Sequence, residues 1–174
     1  MGDQYFQQQP EQLKQFLEFI DEDIENVKRV LDFCEQENLD VEFKIHSKSE
    51  TAEESAQNTD INLNQIVKTL VFKTDDEFIA VLCPGDKRVS EEKLEELTGG
   101  KVDMAKPSEV REVTGYIVGG VSPFDLDIPV YMERSLLELD KIKPAGGSRV
   151  VAIELDPSEL SDIIVTELVS LTET

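Results

Sequence analysis

Ile66-Val67-Lys68-Thr69-Leu70-Val71-Phe72 is followed, after Thr74-Asp75-Asp76, by Glu77-Phe78-Ile79-Ala80-Val81-Leu82-Cys83. Two apolar, β-branched runs joined by a short polar link read as paired strands of a hairpin. Pro84-Gly85-Asp86 supplies the turn chemistry that closes the pair. Strands that come in hairpins are not a strict strand–helix–strand repeat, so the pattern predicts an α+β domain. Within the first run Lys68 stands out. An ammonium among apolar neighbours must reach solvent, pair with a carboxylate or face a cavity. Strict alternation puts it on a solvent face; a cavity-facing ammonium would suit an anionic or carbonyl-bearing ligand.

Downstream of the hairpin, Ser90 is a suitable N-cap for a helix through Leu97, which Gly99-Gly100 ends. Lys101 to Ala105 reads as a short strand, and Pro107 to Val113 as a helix with Pro107 or Ser108 at its start. Ile128 to Met132 and Arg149 to Leu155 read as strands, Ser135 to Leu139 as a helical turn. Asp156 to Leu160 opens another helical turn, and Ile163 to Val169 adds an edge strand. Upstream, Val41 to Ile45 alternates as a half-buried strand does. Thr51 and Glu54 form a capping box, predicting a helix from Ala52. Leu13, Phe16, Leu17, Ile20, Ile24, Val27, Val30, Leu31 and Cys34 recur at helical spacing, predicting one or two amphipathic helices that end near Asn38. The expected architecture is a mixed β-sheet of about six or seven strands with surrounding helices. A helical extension over residues 1–39 packs on a domain over 40–174.

Between the helix ending at Val113 and the strand from Ile128 lies Gly115-Tyr116-Ile117-Val118-Gly119-Gly120-Val121-Ser122-Pro123-Phe124. Gly119 to Pro123 spells Gly-x-x-x-Pro. A Gly-Gly pair lets a backbone approach another group closely, because no Cβ intervenes; the proline then sets the direction of exit. On glycine content alone this is a tight turn or a cradle for a bound group.

Composition narrows the function classes. The chain has 174 residues and a formal net charge of −21, with 38 acidic and 17 basic side chains. Broad nonspecific binding to nucleic acid needs a basic contact face, so it is disfavoured here. Local cations persist at Lys87-Arg88, at Lys106 with Arg111, and at Lys141, Lys143 and Arg149. No apolar run is long enough to span a bilayer, and the first residues lack a signal-peptide pattern, which predicts a cytoplasmic protein with no membrane partner. Cys34 and Cys83 read as small buried hydrophobes. His46 is the only histidine, at a strand end where it is exposed or structurally hydrogen-bonded. No metal-ligand set, phosphate loop, dinucleotide fingerprint or Ser-His-acid combination is visible, and no cofactor is implied.

Thr51-Ala52-Glu53-Glu54-Ser55-Ala56, Gln65 to Phe72 and Thr114 to Phe124, in that order and spacing, resemble the YbaK-type aminoacyl-tRNA deacylase family, which includes the editing domain inserted in bacterial prolyl-tRNA synthetase. The resemblance runs from about Asp40 to Leu168. It implies a hydrolase that removes a wrong amino acid from the acceptor end of a tRNA, often tRNA(Pro), without a protein nucleophile. Attack would lean on the substrate's own ribose hydroxyl or side-chain thiol. It implies that Lys68 binds at the substrate's 3′ end, and that Gly119 and Gly120 present backbone N–H groups to the reacting ester. His46, Val121, Ser122, Pro123, Phe124, Gly146 and Gly147 are the candidate substrate-binding residues; Lys87-Arg88 and Arg111 are candidates for phosphate contact. An aminoacyl-tRNA synthetase is a second candidate partner. Cysteine-specific members carry Ser-Gly-Gly-Lys-Arg-Gly-Leu-Asp where this chain has Ala145-Gly146-Gly147-Ser148-Arg149-Val150-Val151-Ala152. Two polar side chains are thus lost, a change that suits a small apolar amino acid. It equally suits a silent tRNA- or synthetase-binding module. A third possibility is an interaction domain that uses the N-terminal helices.

Overall fold

The computed structural model describes residues 10–45 and 62–173, with side chains of the first helix described from Asp23 onward. His46 and the capping box at Thr51 lie outside the described residues. One helix, α1 (Pro10–Gln36), covers the N-terminal apolar stripe. Val30 and Cys34 are buried on its inner face and Phe33 is partly buried beside them. Asn38 ends it in the left-handed region at φ 53, and the Leu39 N–H reaches back to the Cys34 carbonyl at 2.9 Å, which satisfies an orphan acceptor of the last turn.

The strands are β1 (Val41–Ile45), β2 (Ile66–Lys73), β3 (Phe78–Pro84), β4 (Asp103–Met104), β5 (Val130–Glu133), β6 (Lys143–Ser148), β7 (Val151–Leu155) and β8 (Glu167–Val169). They are interspersed with α2 (Glu91–Thr98), α3 (Pro107–Thr114) and α4 (Pro157–Ile164). The sheet runs β1-β7-β6-β2-β3-β5-β8, with β4 pairing the far end of β2. β2–β3, β2–β4, β1–β7 and β6–β7 are antiparallel; β2–β6, β3–β5 and β5–β8 are parallel. This is the expected α+β architecture with a mixed sheet.

The hairpin forms as its sequence predicts. Val67 pairs with Pro84 and Lys73 with Phe78, and Thr74 closes the turn on Glu77. β2 is central and buries residues on both faces. Val67 and Val71 join a large core with α1, the loop after α3 and the 3₁₀ turn Arg134–Glu138. Phe72 joins a smaller core with Ile79, Val81 and Leu94 of α2. Ser90 caps α2 by accepting from the Lys93 N–H, and Gly99 ends it at φ 80. β6 departs from the sequence reading. Lys-Pro-Ala-Gly-Gly-Ser has no strand propensity; it is held in the sheet by β2 on one side and β7 on the other. The strand read as Arg149 to Leu155 begins at Val151, after a turn, and the strand read from Ile128 begins at Val130.

Candidate active site

The glycine loop leaves α3 through Gly115, at φ 79, and is tied internally. The Tyr116 hydroxyl donates to the Phe124 carbonyl at 2.7 Å. The Gly120 N–H donates to the Ile117 carbonyl at 2.8 Å, and the Phe124 N–H to Ser122 Oγ at 3.4 Å. Among the described residues the Gly119 and Val121 N–H groups have no acceptor. The Gly120 N–H, one of the two expected donors, is thus already engaged within the loop.

The glycine pair faces β6. A Cβ at Gly120 would lie 3.0 Å from Cα and C of Ser148, and one at Gly119 would lie 2.9 Å from Cγ and Cδ of Arg149. The close approach read from the sequence is thus made to the chain's own backbone. Gly147 is also tight: a Cβ there would stand 2.7 Å from the Asn26 carbonyl oxygen of α1, and φ is 95. Gly119, Gly120, Gly147, Ser148 and Arg149 consequently form one cluster where the loop, the end of β6 and α1 meet. Val121, Ser122, Pro123 and Phe124 are all buried, with Phe124 in the large core. Val118 and Gly119, with Gly115 at the loop's start, are its exposed residues before Asp125.

Lys68 lies on the other face of β2. It pairs with Cys83 in register, and its half-buried side chain shares an open cavity of about 450 Å³ with Leu70, Phe72, Arg88, Met104 and Glu173. Its ammonium donates to the Lys87 carbonyl at 2.5 Å. Cys83 Sγ lies 3.5 Å from the same oxygen. Burial pushes the Cys83 thiol up to about 11, against the pull of the nearby Lys68 charge, so Cys83 is a packed thiol and no nucleophile at neutral pH.

β6 links the two regions. Its first residues run parallel to β2, with Lys143 beside Ile66 and Pro144 beside Val67, one residue before Lys68. Its last, Ser148, carries Gly120. Four residues of extended chain span at most about 14 Å. Between them Ala145 pairs directly with Ala152 of β7. Lys143 is itself buried, and burial with the neighbouring Lys44 charge pushes its ammonium below the usual lysine range.

The sequence reading missed the residues of α1 and Asp125 that hold the loop. Arg29 Nε donates to Asp125 Oδ2 at 2.7 Å, Nη1 to the Thr114 carbonyl at 2.6 Å, and Nη2 to the Asp125 carbonyl. Asn26 Nδ2 donates to the Gly115 carbonyl at 3.1 Å. Among the described residues no group of three or more His, Cys, Asp or Glu side chains could hold a metal ion, and no helix is long and apolar enough to cross a membrane.

The aminoacyl-tRNA editing domain family matches residues 46–163, and the chain belongs to that family. It is 39% identical over 130 residues to "Uncharacterized protein YwhH" of Bacillus subtilis, covering 73% of this chain and 82% of that protein. It is 30% identical over 155 residues to the proline–tRNA ligase of Caldicellulosiruptor saccharolyticus, covering 88% of this chain but only 25% of the ligase. A crystal structure of a protein proposed as a trans-editing enzyme for prolyl tRNA synthetase superposes with TM-score 0.78 at 31% identity, over 86% of this chain and 98% of that one.

Proposed function

We infer that the protein is a cytoplasmic trans-editing hydrolase, which cleaves the ester of a mischarged aminoacyl-tRNA, with tRNA(Pro) the first candidate. The observation that carries this reading is the seating of Gly119-Gly120 on Ser148 and Arg149 at the end of β6, in a chain of the editing-domain family. In this reading the loop contacts the ester, and Lys68, which faces the opposite side of β2, contacts a different part of the tRNA. Lys68 exchanges the Lys87 carbonyl for an oxygen at the 3′ end of the tRNA, as a point charge. The Gly119 and Val121 N–H groups face the ester carbonyl, whose oxygen gains negative charge when water adds to carbon. The bond from carbonyl carbon to ribose oxygen then breaks, the ribose oxygen regains its proton, and free amino acid leaves. The vicinal ribose hydroxyl orients the attacking water, so no protein nucleophile is required.

The experiment is a panel of mischarged tRNAs incubated with wild-type protein and with Lys68→Ala. Faster loss of at least one aminoacyl ester than in buffer, abolished by the substitution, is the expected result. Ester loss at the buffer rate across the panel overturns the reading.

The Ala145–Ala152 pair favours a second reading. Where cysteine-specific relatives carry serine and aspartate, this strand pair offers two methyl groups and no hydrogen bond. A module that binds charged tRNA or a synthetase without turnover would tolerate that loss. Tight binding to charged tRNA with no hydrolysis decides for it.

A further inference from the structure

We propose that Arg29, on α1 and outside the segment matched by the editing-domain family, is a positioning residue that sets the geometry of the Gly115–Asp125 loop. The proposal rests on the hydrolytic reading above for its kinetic consequence, but its structural content stands on Arg29 alone.

One guanidinium holds both ends of the loop. At the start it donates to the Thr114 carbonyl, an orphan acceptor in the last turn of α3, where positive charge also suits the helix dipole. At the far end it donates to both the carboxylate and the carbonyl of Asp125. Asp125 has φ 58, a left-handed conformation uncommon for a residue with a side chain. Both of its acceptors turn toward the same cation. Between the two ends the guanidinium carbon sits 4.3 Å from the centre of the Tyr116 ring, which is fully buried and whose hydroxyl ties back to Phe124. Three separate acceptors and a ring face need the planar fork of arginine; a lysine ammonium cannot reach them together.

The same turn of α1 touches the opposite wall. Asn26 donates to the Gly115 carbonyl, and its own carbonyl lies against Gly147. One helical turn therefore fixes the loop and the Gly146-Gly147 end of β6 relative to each other. The exposed Gly119 and Val118 lie between the two anchored ends. Backbone donors aimed at a developing charge act only when held in place beforehand, and a misplacement of about 1 Å can cost about 100-fold in rate.

The test uses the full chain with Arg29→Ala, Arg29→Lys and Asp125→Asn. Deacylation kinetics on a mischarged tRNA and amide hydrogen exchange are both measured. Arg29→Ala is expected to lower kcat by about 10- to 100-fold with KM within about threefold, because the loop loosens while substrate contacts persist. Arg29→Lys falls with it, and millimolar guanidinium restores Arg29→Ala but leaves the wild type unchanged. Exchange of the hydrogen-bonded amides of Tyr116, Gly120 and Phe124 accelerates by about tenfold or more while β2 and β3 keep their protection. Asp125→Asn, which leaves the Thr114 contact intact, gives the same pattern at smaller amplitude, and it decides the matter if Arg29→Ala loses protection throughout. Wild-type kcat and loop exchange in Arg29→Ala or in Asp125→Asn, or full rescue by lysine, overturns the proposal. If the wild type hydrolyses nothing, the hydrolytic reading falls, and loop exchange alone decides whether Arg29 is the brace.

Discussion

Gly120 lies flat against Ser148: a Cβ on the glycine would stand 3.0 Å from two backbone atoms of the serine. Backbone cannot swing aside as a flexible side chain can, so the loop and the end of β6 are in contact only because position 120 is bare. Gly120→Ala should force the two apart, at about 1–3 kcal/mol of stability by overpacking and with a loss of deacylation on the order of 100-fold. Thermal midpoints and ester-release rates of this variant, beside Val118→Ala at the exposed neighbouring position, check it. Val118→Ala should stay within about 0.5 kcal/mol of wild type. A Gly120→Ala protein as active as wild type would mean that the loop position is irrelevant to turnover.

The N-terminal helix should not be separable from the site. Read from sequence, residues 1–38 look like an extension whose removal would spare hydrolysis. Asn26 against Gly147, and Arg29 across the loop, argue the reverse. Deleting 1–38 removes Val30, Phe33 and Cys34 and exposes the core face they cover, Phe124 included, which should cost several kcal/mol at about 1.5–3 kcal/mol per large buried side chain. Gly147→Ala is the milder test. It should lower the thermal midpoint and raise hydrogen exchange in α1 before it does so in β3, and unchanged α1 exchange would contradict the contact.

Both thiols should be silent in the native protein. Cys34 and Cys83 are buried, and burial pushes each thiol up to about 11. At pH 8 a disulfide reagent should label neither faster than the protein opens, roughly 1,000-fold more slowly than a free thiol. Reaction in urea then releases two equivalents. Rapid labelling of one equivalent without denaturant would mean that Cys83 is reachable from the Lys68 cavity.

Stability should fall on the alkaline side. Burial pushes Tyr116 from 10 up to about 12, against the opposing pull of Arg29. A folded value above the unfolded one gives stability that is intact below pH 10 and is lost as the pH rises toward 12, because only the unfolded chain ionises there. The loss is on the order of 2–3 kcal/mol for a gap of this size. Cys34 and Cys83 act with the same sign between pH 9 and about 11. Urea midpoints at pH 9 and pH 11.5 should therefore differ, and Tyr116→Phe should shrink the difference. An identical slope in the variant would remove Tyr116 from the account.

Local pattern carried most of the fold. The hairpin from Ile66 to Cys83, the Ser90 cap with its Gly99 stop, and the proline start of α3 are each specified by neighbours in sequence, so each is legible there. β6 is not, because Lys-Pro-Ala-Gly-Gly-Ser becomes a strand only through partners supplied by β2 and β7. The site divides in the same way. Lys68 and the glycine loop announce themselves by residue type, whereas Arg29 and Asp125 are ordinary charged residues whose meeting across 96 positions no local pattern records.

The chain by itself determined the fold class, through short-range hydrophobic alternation and capping, while the ordered segments around Lys68 and Gly119-Gly120 carried the family resemblance. Only the tertiary structure decided which surface each of them uses. Alternation along β2 turns Lys68 toward the smaller core, while steric fit at Gly120 and Gly147 brings the loop, β6 and α1 together on the larger one. Side-chain direction and backbone clearance are properties of packed neighbours, and those neighbours are distant in sequence.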